Sequence, residues 1–400
     1  MTTLEAHFDF LDLQAYVSRV LGNAKAIRQV YRMHGGAQKV VYRIDCADGS
    51  ACVLYVWDLE KNYFQEEILL DGPDERAFGG DSFERANRCL SALGIRTPAL
   101  YDLNRERSKR YPFDYALVEY VAGPKAEHYL GHPDAATRER VFGALGDMLA
   151  RMHGTERAWC GKPDCPDLIP GAGADANAGA SAGTGAVAGA GTDASADASV
   201  SADSDANVMA VVGADAGANS KGRASAEACH MRMLANVKPQ LAYAAAHMAR
   251  IGEFHARLLE HLESLAARIA PRGRYGLIHG ELGPDHVLVN DRHEPYLIDI
   301  EGAEFMDIEH EHSFLEFRFG EDYRYLRREG LDADRMAFYR FRHHLSLIAG
   351  GLKLLHRGFP DQAFARGLAD HHAACALRSI EVQGGGRKGG RPGGLREMEG

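Results

Sequence analysis

The chain has 400 residues, a net charge of −10 from 46 basic and 56 acidic side chains, and seven scattered cysteines. No basic stripe marks a nucleic-acid partner, and no apolar run reaches the roughly 18 residues that a membrane span needs. MTTLEAHFDF lacks the basic start of a secretory signal, so the expected setting is cytoplasmic and reducing, with free thiols.

Residues 10–21 (FLDLQAYVSRVL) have helical periodicity. The pattern then switches to period two. Residues 28–34, 39–46 and 51–57 read as strands, with Gly35-Gly36 breaking the first pair and Asp48-Gly49 as a hairpin turn. A helix over 83–93 stops at Gly94, and strands follow at 99–103 and 114–121. Residues 1–121 are therefore expected to form a small antiparallel sheet with one inserted helix.

Beyond Gly123-Pro124 the chain turns helical. Residues 136–153 place Val141, Leu145, Met148, Leu149 and Met152 on one face. From 171 to 227 the composition is almost entirely Ala, Gly, Asp and Ser, with seven acids against Lys221 and Arg223. Such a segment buries too little apolar surface to offset its ordering entropy, and the tail from Gly384 reads the same way; both are expected to be disordered. Helices are expected over 233–270, 309–317, 337–356 and 362–379. Cys160-x4-Cys165 near His153 does not have zinc-site spacing and reads as two ordinary thiols.

The informative stretch is 278–301, IHGELGPDHVLVNDRHEPYLIDIE. His279-Gly280-Glu281 opens it, two short apolar runs form a hairpin, and Asp299 and Glu301 close it. A loop acid can take a proton from an attacking hydroxyl. Acids one hairpin later can hold a metal ion against phosphate oxygens. Glu281, Asp285, Asp299 and Glu301 stand in that setting.

These motifs resemble the aminoglycoside phosphotransferase family, over about residues 28–160 and 229–360. The resemblance implies an α+β, bilobal protein-kinase-like fold shared with choline and fructosamine kinases. Residues 1–121 would be the nucleotide-binding lobe and 122–383 the mainly helical catalytic lobe carrying the 171–227 insert. It also implies ATP or GTP as cofactor with Mg²⁺ or Mn²⁺, and a small-molecule hydroxyl as acceptor, an aminoglycoside-like cation among the candidates. His279 matches the family's loop histidine. Glu281 stands where the family has its catalytic aspartate, and His286 where it has a metal-binding asparagine. Asp299 matches the metal aspartate, and Glu301 the second acid. Asp307 and Glu311 resemble the segment that brace the loop, with plain helix-terminal acids as the alternative. Leu117-Val118-Glu119-Tyr120 resembles the interlobe hinge that holds the adenine.

Three positions depart from the family. Glu281 is one methylene longer than aspartate, and a misplacement of about 1 Å can cost roughly a hundredfold in rate. His286 supplies nitrogen where Mg²⁺ prefers oxygen, and so favours Mn²⁺ or Zn²⁺. Tyr55 occupies the third-strand position of the phosphate-holding cation. Lys39 after Gly35-Gly36 can supply that charge, with Arg43 as a weaker candidate and an exposed strand-edge lysine as the alternative. Glu84 is a candidate for the helix acid that pairs with the cation. Between Glu294 and Asp322 ten acids face one arginine, Arg318, either as an attractor for a cationic substrate or as a solvated helix face. The reading favoured is a small-molecule kinase with a modified site. The alternatives are a pseudokinase that binds nucleotide or ligand without turnover and a nucleotidyl transferase on the same fold.

Overall fold

The computed structural model describes residues 7–33, 38–70, 77–163 and 228–384. Gly35, Gly36, Cys165, the 171–227 insert and residues 385–400 lie outside the described residues. The first lobe is a five-stranded antiparallel sheet in the order β1-β2-β3-β5-β4. Its strands are β1 (Ile27–Arg32), β2 (Val40–Cys46), β3 (Ala51–Trp57), β4 (Leu100–Asn104) and β5 (Asp114–Glu119). The Asp48-Gly49 turn joins β2 to β3 as the sequence suggests, with Gly49 at φ 85° and the Asp48 carboxylate accepting from the Ser50 amide at 3.0 Å.

Alternation along β3 explains why this strand is central. Cys52, Leu54 and Val56 pack with Leu13, Tyr16 and Val17 of helix α1 (Phe10–Leu21) on one face. Val53, Tyr55 and Trp57 point to the other face and join the core of the second lobe. The period of two thus places one strand in two cores. Helix α3 (Gly80–Ala92) covers the inner face and contributes Phe83, Ala86 and Leu90. Helix α2 (Gln65–Leu70) has no counterpart in the sequence reading, because six residues are too few to show a period.

The second lobe is built on α4 (Ala135–Gly154), α5 (Cys229–His247), α6 (Ala249–Ala267), α7 (Ile308–Phe319), α8 (Ala333–His356) and α9 (Gln362–Gly384). Strands β8 (Val287–Val289) and β9 (Pro295–Leu297) form the expected hairpin, with Val287 opposite Leu297. Strand β7 (Tyr275–Ile278) pairs elsewhere, between β10 (Glu304–Met306) and β6 (Glu156–Arg157). The hinge locks onto the hairpin: the Val289 amide donates to Pro124 O at 2.9 Å, and a Cβ on Gly123 would stand 1.9 Å from Val289 O. Only glycine fits there. Among the described residues no helix is long and apolar enough to cross a membrane.

Several buried or half-buried histidines are held below the ordinary value of 6.5, in each case chiefly by burial. Among them are His230, His279, His310 and His343, with His312 and His372 pushed down to about 3 and His344 to about 4. The unfolded chain takes up protons at these rings from about pH 6.5 downward while the folded chain does not. Stability therefore falls as pH drops from 6.5 toward 4, by about 1.4 kcal/mol per pH unit for each proton of difference. Scanning calorimetry at pH 7.5 and pH 5 should show a clearly lower Tm at pH 5; an equal or higher one contradicts the assignment of these rings as neutral.

Candidate active site

Strand β7 runs through the lobe's core and delivers His279, Gly280 and Glu281 to the junction with the first lobe. Gly280 turns the chain at φ 95°, and a Cβ there would sit 3.0 Å from Gly302 O. That contact brings the His-Gly-Glu loop against the turn carrying Asp299 and Glu301. Glu311 holds the loop from beneath. One of its carboxylate oxygens accepts from the amides of His279 (2.9 Å) and Gly280 (3.1 Å), and the other lies 2.7 Å from His153 Nε2. Burial works against this charge, yet His153 and the neighbouring histidines hold the Glu311 carboxyl below its usual range. The His279 ring, fully buried, bonds through Nε2 to Ile298 O at 2.9 Å. His279 thus ties the His-Gly-Glu loop to the turn carrying Asp299.

Asp299 is aimed by strain. It adopts φ 56° and ψ 44°, a left-handed conformation that costs a non-glycine residue roughly 1–2 kcal/mol. Its Oδ1 lies 2.6 Å from Lys39 Nζ, and Glu301 Oε1 lies 2.6 Å from the same nitrogen. Trp57 Nε1 donates to Glu301 Oε1 at 3.0 Å. Lys39 is 6% exposed and stands over the Tyr55 ring, 4.7 Å from its centroid. It is not the exposed strand-edge lysine of the alternative reading. Burial pulls the Lys39 pKa down, but the charges of Asp299 and Glu301 outweigh that and raise it. Burial alone would raise the Asp299 carboxyl; Lys39 and His286 hold it low instead.

His286 is buried, with Nδ1 2.8 Å from Glu281 O. Its Nε2 lies 3.1 Å from Asp285 Oδ2 and 3.4 Å from Asp299 Oδ2. Asp285 is itself neutralised by Arg318. Glu281 is partly exposed, and its carbonyl is the one His286 meets. Burial and the charge of Asp299 push its carboxyl well above the usual range, against the pull of Lys162 and Arg342.

Other expectations need correcting. Arg43 binds Asp45 at 2.8 Å and the Tyr120 hydroxyl at 2.8 Å, and so belongs to the hinge and not to a phosphate site. The Glu119 carboxylate accepts from the Ala99 amide at 3.1 Å. Glu84 pairs with Arg88 and Arg105, away from Lys39. In place of a lysine–glutamate pair between β3 and α3, Tyr55 packs edge-on and Trp57 at a tilt against Phe83, each with centroids 5.5 Å apart. Asp307 does not brace the loop. It accepts from the Tyr339 hydroxyl at 2.6 Å and lies 3.3 Å from Arg272 and from Arg335. Many of the acids between Glu294 and Asp322 are taken up in ion pairs. Glu294, Glu304, Glu309, Glu316 and Asp322 pair with Arg96, Arg232, Arg272, Arg340 and Arg138 respectively. His310, Glu311 and His312 diverge as helix geometry requires, toward Arg342, His153 and Tyr323.

Trp57, His153, Lys162, Arg318 and Arg342 were missed as site residues. Their partners lie far away in the chain, and none stands in a recognisable motif. Among the described residues no group of three or more His, Cys, Asp and Glu is arranged as a metal cluster. Asp299 and Glu301 share the ammonium of Lys39, and His286 Nε2 lies 3.4 Å from Asp299 Oδ2.

Replacing Glu311 with Ala strands two buried amides and the His153 ring. The expected loss is about 3 kcal/mol of stability, with Glu311→Gln milder because one acceptor oxygen survives. Thermal or denaturant melts measure this, and an Ala variant as stable as the parent would contradict the bracing role.

A model of the APH phosphotransferase enzyme family matches residues 80–339. No curated protein matches the chain. Among solved structures, a Ralstonia eutropha JMP134 protein described as an aminoglycoside phosphotransferase is 14% identical. That match covers 95% of this chain and 99% of that one, with a TM-score of 0.55. A spectinomycin phosphotransferase in complex with ADP and spectinomycin is 12% identical, covers 94% and 99%, and has a TM-score of 0.51. The GDP complex of aminoglycoside 2′-phosphotransferase-IIIa is 13% identical, covers 92% and 99%, and has a TM-score of 0.53. At these identities the likeness speaks for the fold, which is the bilobal, protein-kinase-like one. The family match spans well over half the sequence and includes both the loop at Glu281 and the acids at Asp299 and Glu301: the chain belongs to the phosphotransferase enzyme family.

Proposed function

We propose that this protein transfers the terminal phosphoryl group of ATP or GTP to a hydroxyl of a small molecule. The observation that carries the proposal is the convergence on one recess of Glu281, His286, Asp299 and Glu301 from the second lobe with Lys39 from the first. Glu281 is the candidate base: it stands on the His-Gly-Glu loop beside His286, and burial and the charge of Asp299 raise its carboxyl above its ordinary value. His279 positions the loop that carries it. Lys39 supplies the positive charge for the nucleotide phosphates. Glu119 and Tyr120 form the hinge against which the base would lie. Gly35 and Gly36, which precede Lys39 in the sequence and lie outside the described residues, would let the backbone come close to the nucleotide. Asp299 and Glu301, with His286 Nε2, would hold a divalent ion. When bound, that ion neutralises phosphate charge and orients the group to be transferred.

The altered positions support turnover over a scaffold role. Glu281 keeps a carboxylate, His286 keeps a donor atom on the metal side, and Lys39 replaces the cation lost at Tyr55 from the neighbouring strand. The related structures hold ADP with spectinomycin and GDP, which supports a purine nucleotide donor and a small polar acceptor. Glu304, Glu309 and Glu316 pair with arginines, so the acceptor need not be cationic, and neutral polyols belong in the test beside amino sugars.

The test is transfer of labelled γ-phosphate from ATP and from GTP, with Mg²⁺ and with Mn²⁺, across that panel. At least one acceptor should be phosphorylated. Glu281→Gln should lower kcat by roughly a hundredfold or more while nucleotide affinity is retained. Lack of nucleotide binding with either metal, or full turnover in the Gln variant, contradicts the proposal.

A further inference from the structure

The backbone just before Lys39 is held by a side chain that no motif includes. The ladder between β2 and β3 runs from Asp45 opposite Ala51 to Val40 opposite Val56, so Gln38 and Lys39 stand ahead of it. Backbone groups beyond a ladder's end need other partners. Asn62 supplies one: its Nδ2 donates to Gln38 O at 3.0 Å. The other half of the same amide points elsewhere, with Oδ1 accepting from the Phe64 amide at 2.7 Å. The Asn62 N–H closes the short helical turn Leu59–Lys61 by donating to Leu59 O at 3.1 Å. Asn62 is 6% exposed, and both ends of its amide are committed.

Asn62 is in turn fixed from the second lobe. The next two residues dock on α7, α8 and α9. Phe64, 1% exposed, packs in one cluster with Phe314, Leu347, Leu354 and Leu368. Tyr63 meets Phe359 edge-on with centroids 5.3 Å apart, and its carbonyl accepts from Arg357 at 2.6 Å. Helix α2 follows, and its Glu67 carboxylate pairs with Arg357 at 2.8 Å and Lys353 at 2.7 Å. Residues 58–70 thus form a strap from the end of β3 to the second lobe, and Asn62 touches the Lys39 segment on the way. A turn-forming asparagine needs only its side-chain oxygen. The bond from Nδ2 to Gln38 spans 24 positions of sequence and has no part in the turn.

We propose that Asn62 is a positioning residue for nucleotide binding: bonded to Gln38 O and anchored through the strap on the second lobe, it sets the backbone from which Lys39 reaches the phosphates. The inference rests on Lys39 being the phosphate cation. An asparagine that only shapes the turn would be a matter of stability. Affinity separates the two roles, because only the phosphates of a nucleotide depend on Lys39.

Calorimetric titration provides the test. The ligands are ATP or GTP with Mg²⁺ or Mn²⁺, whichever the parent binds, and the matching nucleoside. The proteins are the parent, Asn62→Ser, Asn62→Ala and Lys39→Met. Serine keeps an oxygen for the Phe64 amide but is too short to reach Gln38 as well; alanine removes both bonds. Both Asn62 variants should bind the triphosphate about fivefold or more weakly, as the loss of a buried hydrogen bond that places a charge implies. Their affinity for the nucleoside, which has no phosphate for Lys39 to meet, should change by less than about twofold. Unchanged triphosphate affinity in Asn62→Ser, or equal losses for triphosphate and nucleoside, overturns the proposal. A Lys39→Met variant that binds triphosphate as tightly as the parent sinks the phosphate role of Lys39 and the positioning role with it. A clear loss in Lys39→Met beside an unchanged Asn62→Ser sinks only the role of Asn62.

Discussion

One buried ion cluster joins the lobes. Lys39, from the entry to β2, lies 2.6 Å from Asp299 and 2.6 Å from Glu301. Opposite charges this close and this buried are strongly coupled: removing one partner leaves the others uncompensated, typically at a cost of about 3–5 kcal/mol. Two carboxylates against one ammonium also leave the cluster short of positive charge. The recess therefore favours a further cation, which is what a phosphate-transfer site requires.

The protein arrives at this cluster by an unusual route. In the family pattern the third strand supplies the phosphate cation. Here that position is Tyr55, whose ring faces α3 and Phe83. Trp57 fills the remaining space and donates to Glu301. The aromatic trio does by packing what an ion pair between strand and helix would do by charge: it fixes α3 against the sheet. Under the proposed function the charge would come from one strand over, with Lys39 lying across the face of Tyr55. Loss of the usual lysine and gain of Lys39 read as a single rearrangement.

Much of this was legible in the residues and some was not. The α1 helix has the bounds its period implies, and the β8–β9 hairpin stands where two apolar runs and a turn place it. Glu311 was weighed equally as a brace and as a bystander; two amides and a histidine decide for the brace. The pairing of β7 with β10 and β6 was not legible, because strands of two to four residues carry no period. The acids of 294–322 looked like one surface because their arginines come from α4, α5, α8 and distant loops. Glu84 looked like an ion-pair partner by analogy, and the structure gives it to Arg88 and Arg105. In each miss the deciding contact was long in sequence and short in space.

The central claim is that Lys39 has taken over the phosphate cation's task. Calorimetric titration of ATP and GTP, each with Mg²⁺ or Mn²⁺, into the parent protein and a Lys39→Met variant tests it most directly. Methionine keeps the length of the side chain and removes only the charge. The account predicts that the parent binds one of these nucleotides and that the variant, still folded, binds it at least about tenfold more weakly. Equal affinity in the two proteins would contradict it and return Lys39 to the role of a structural tie between the lobes.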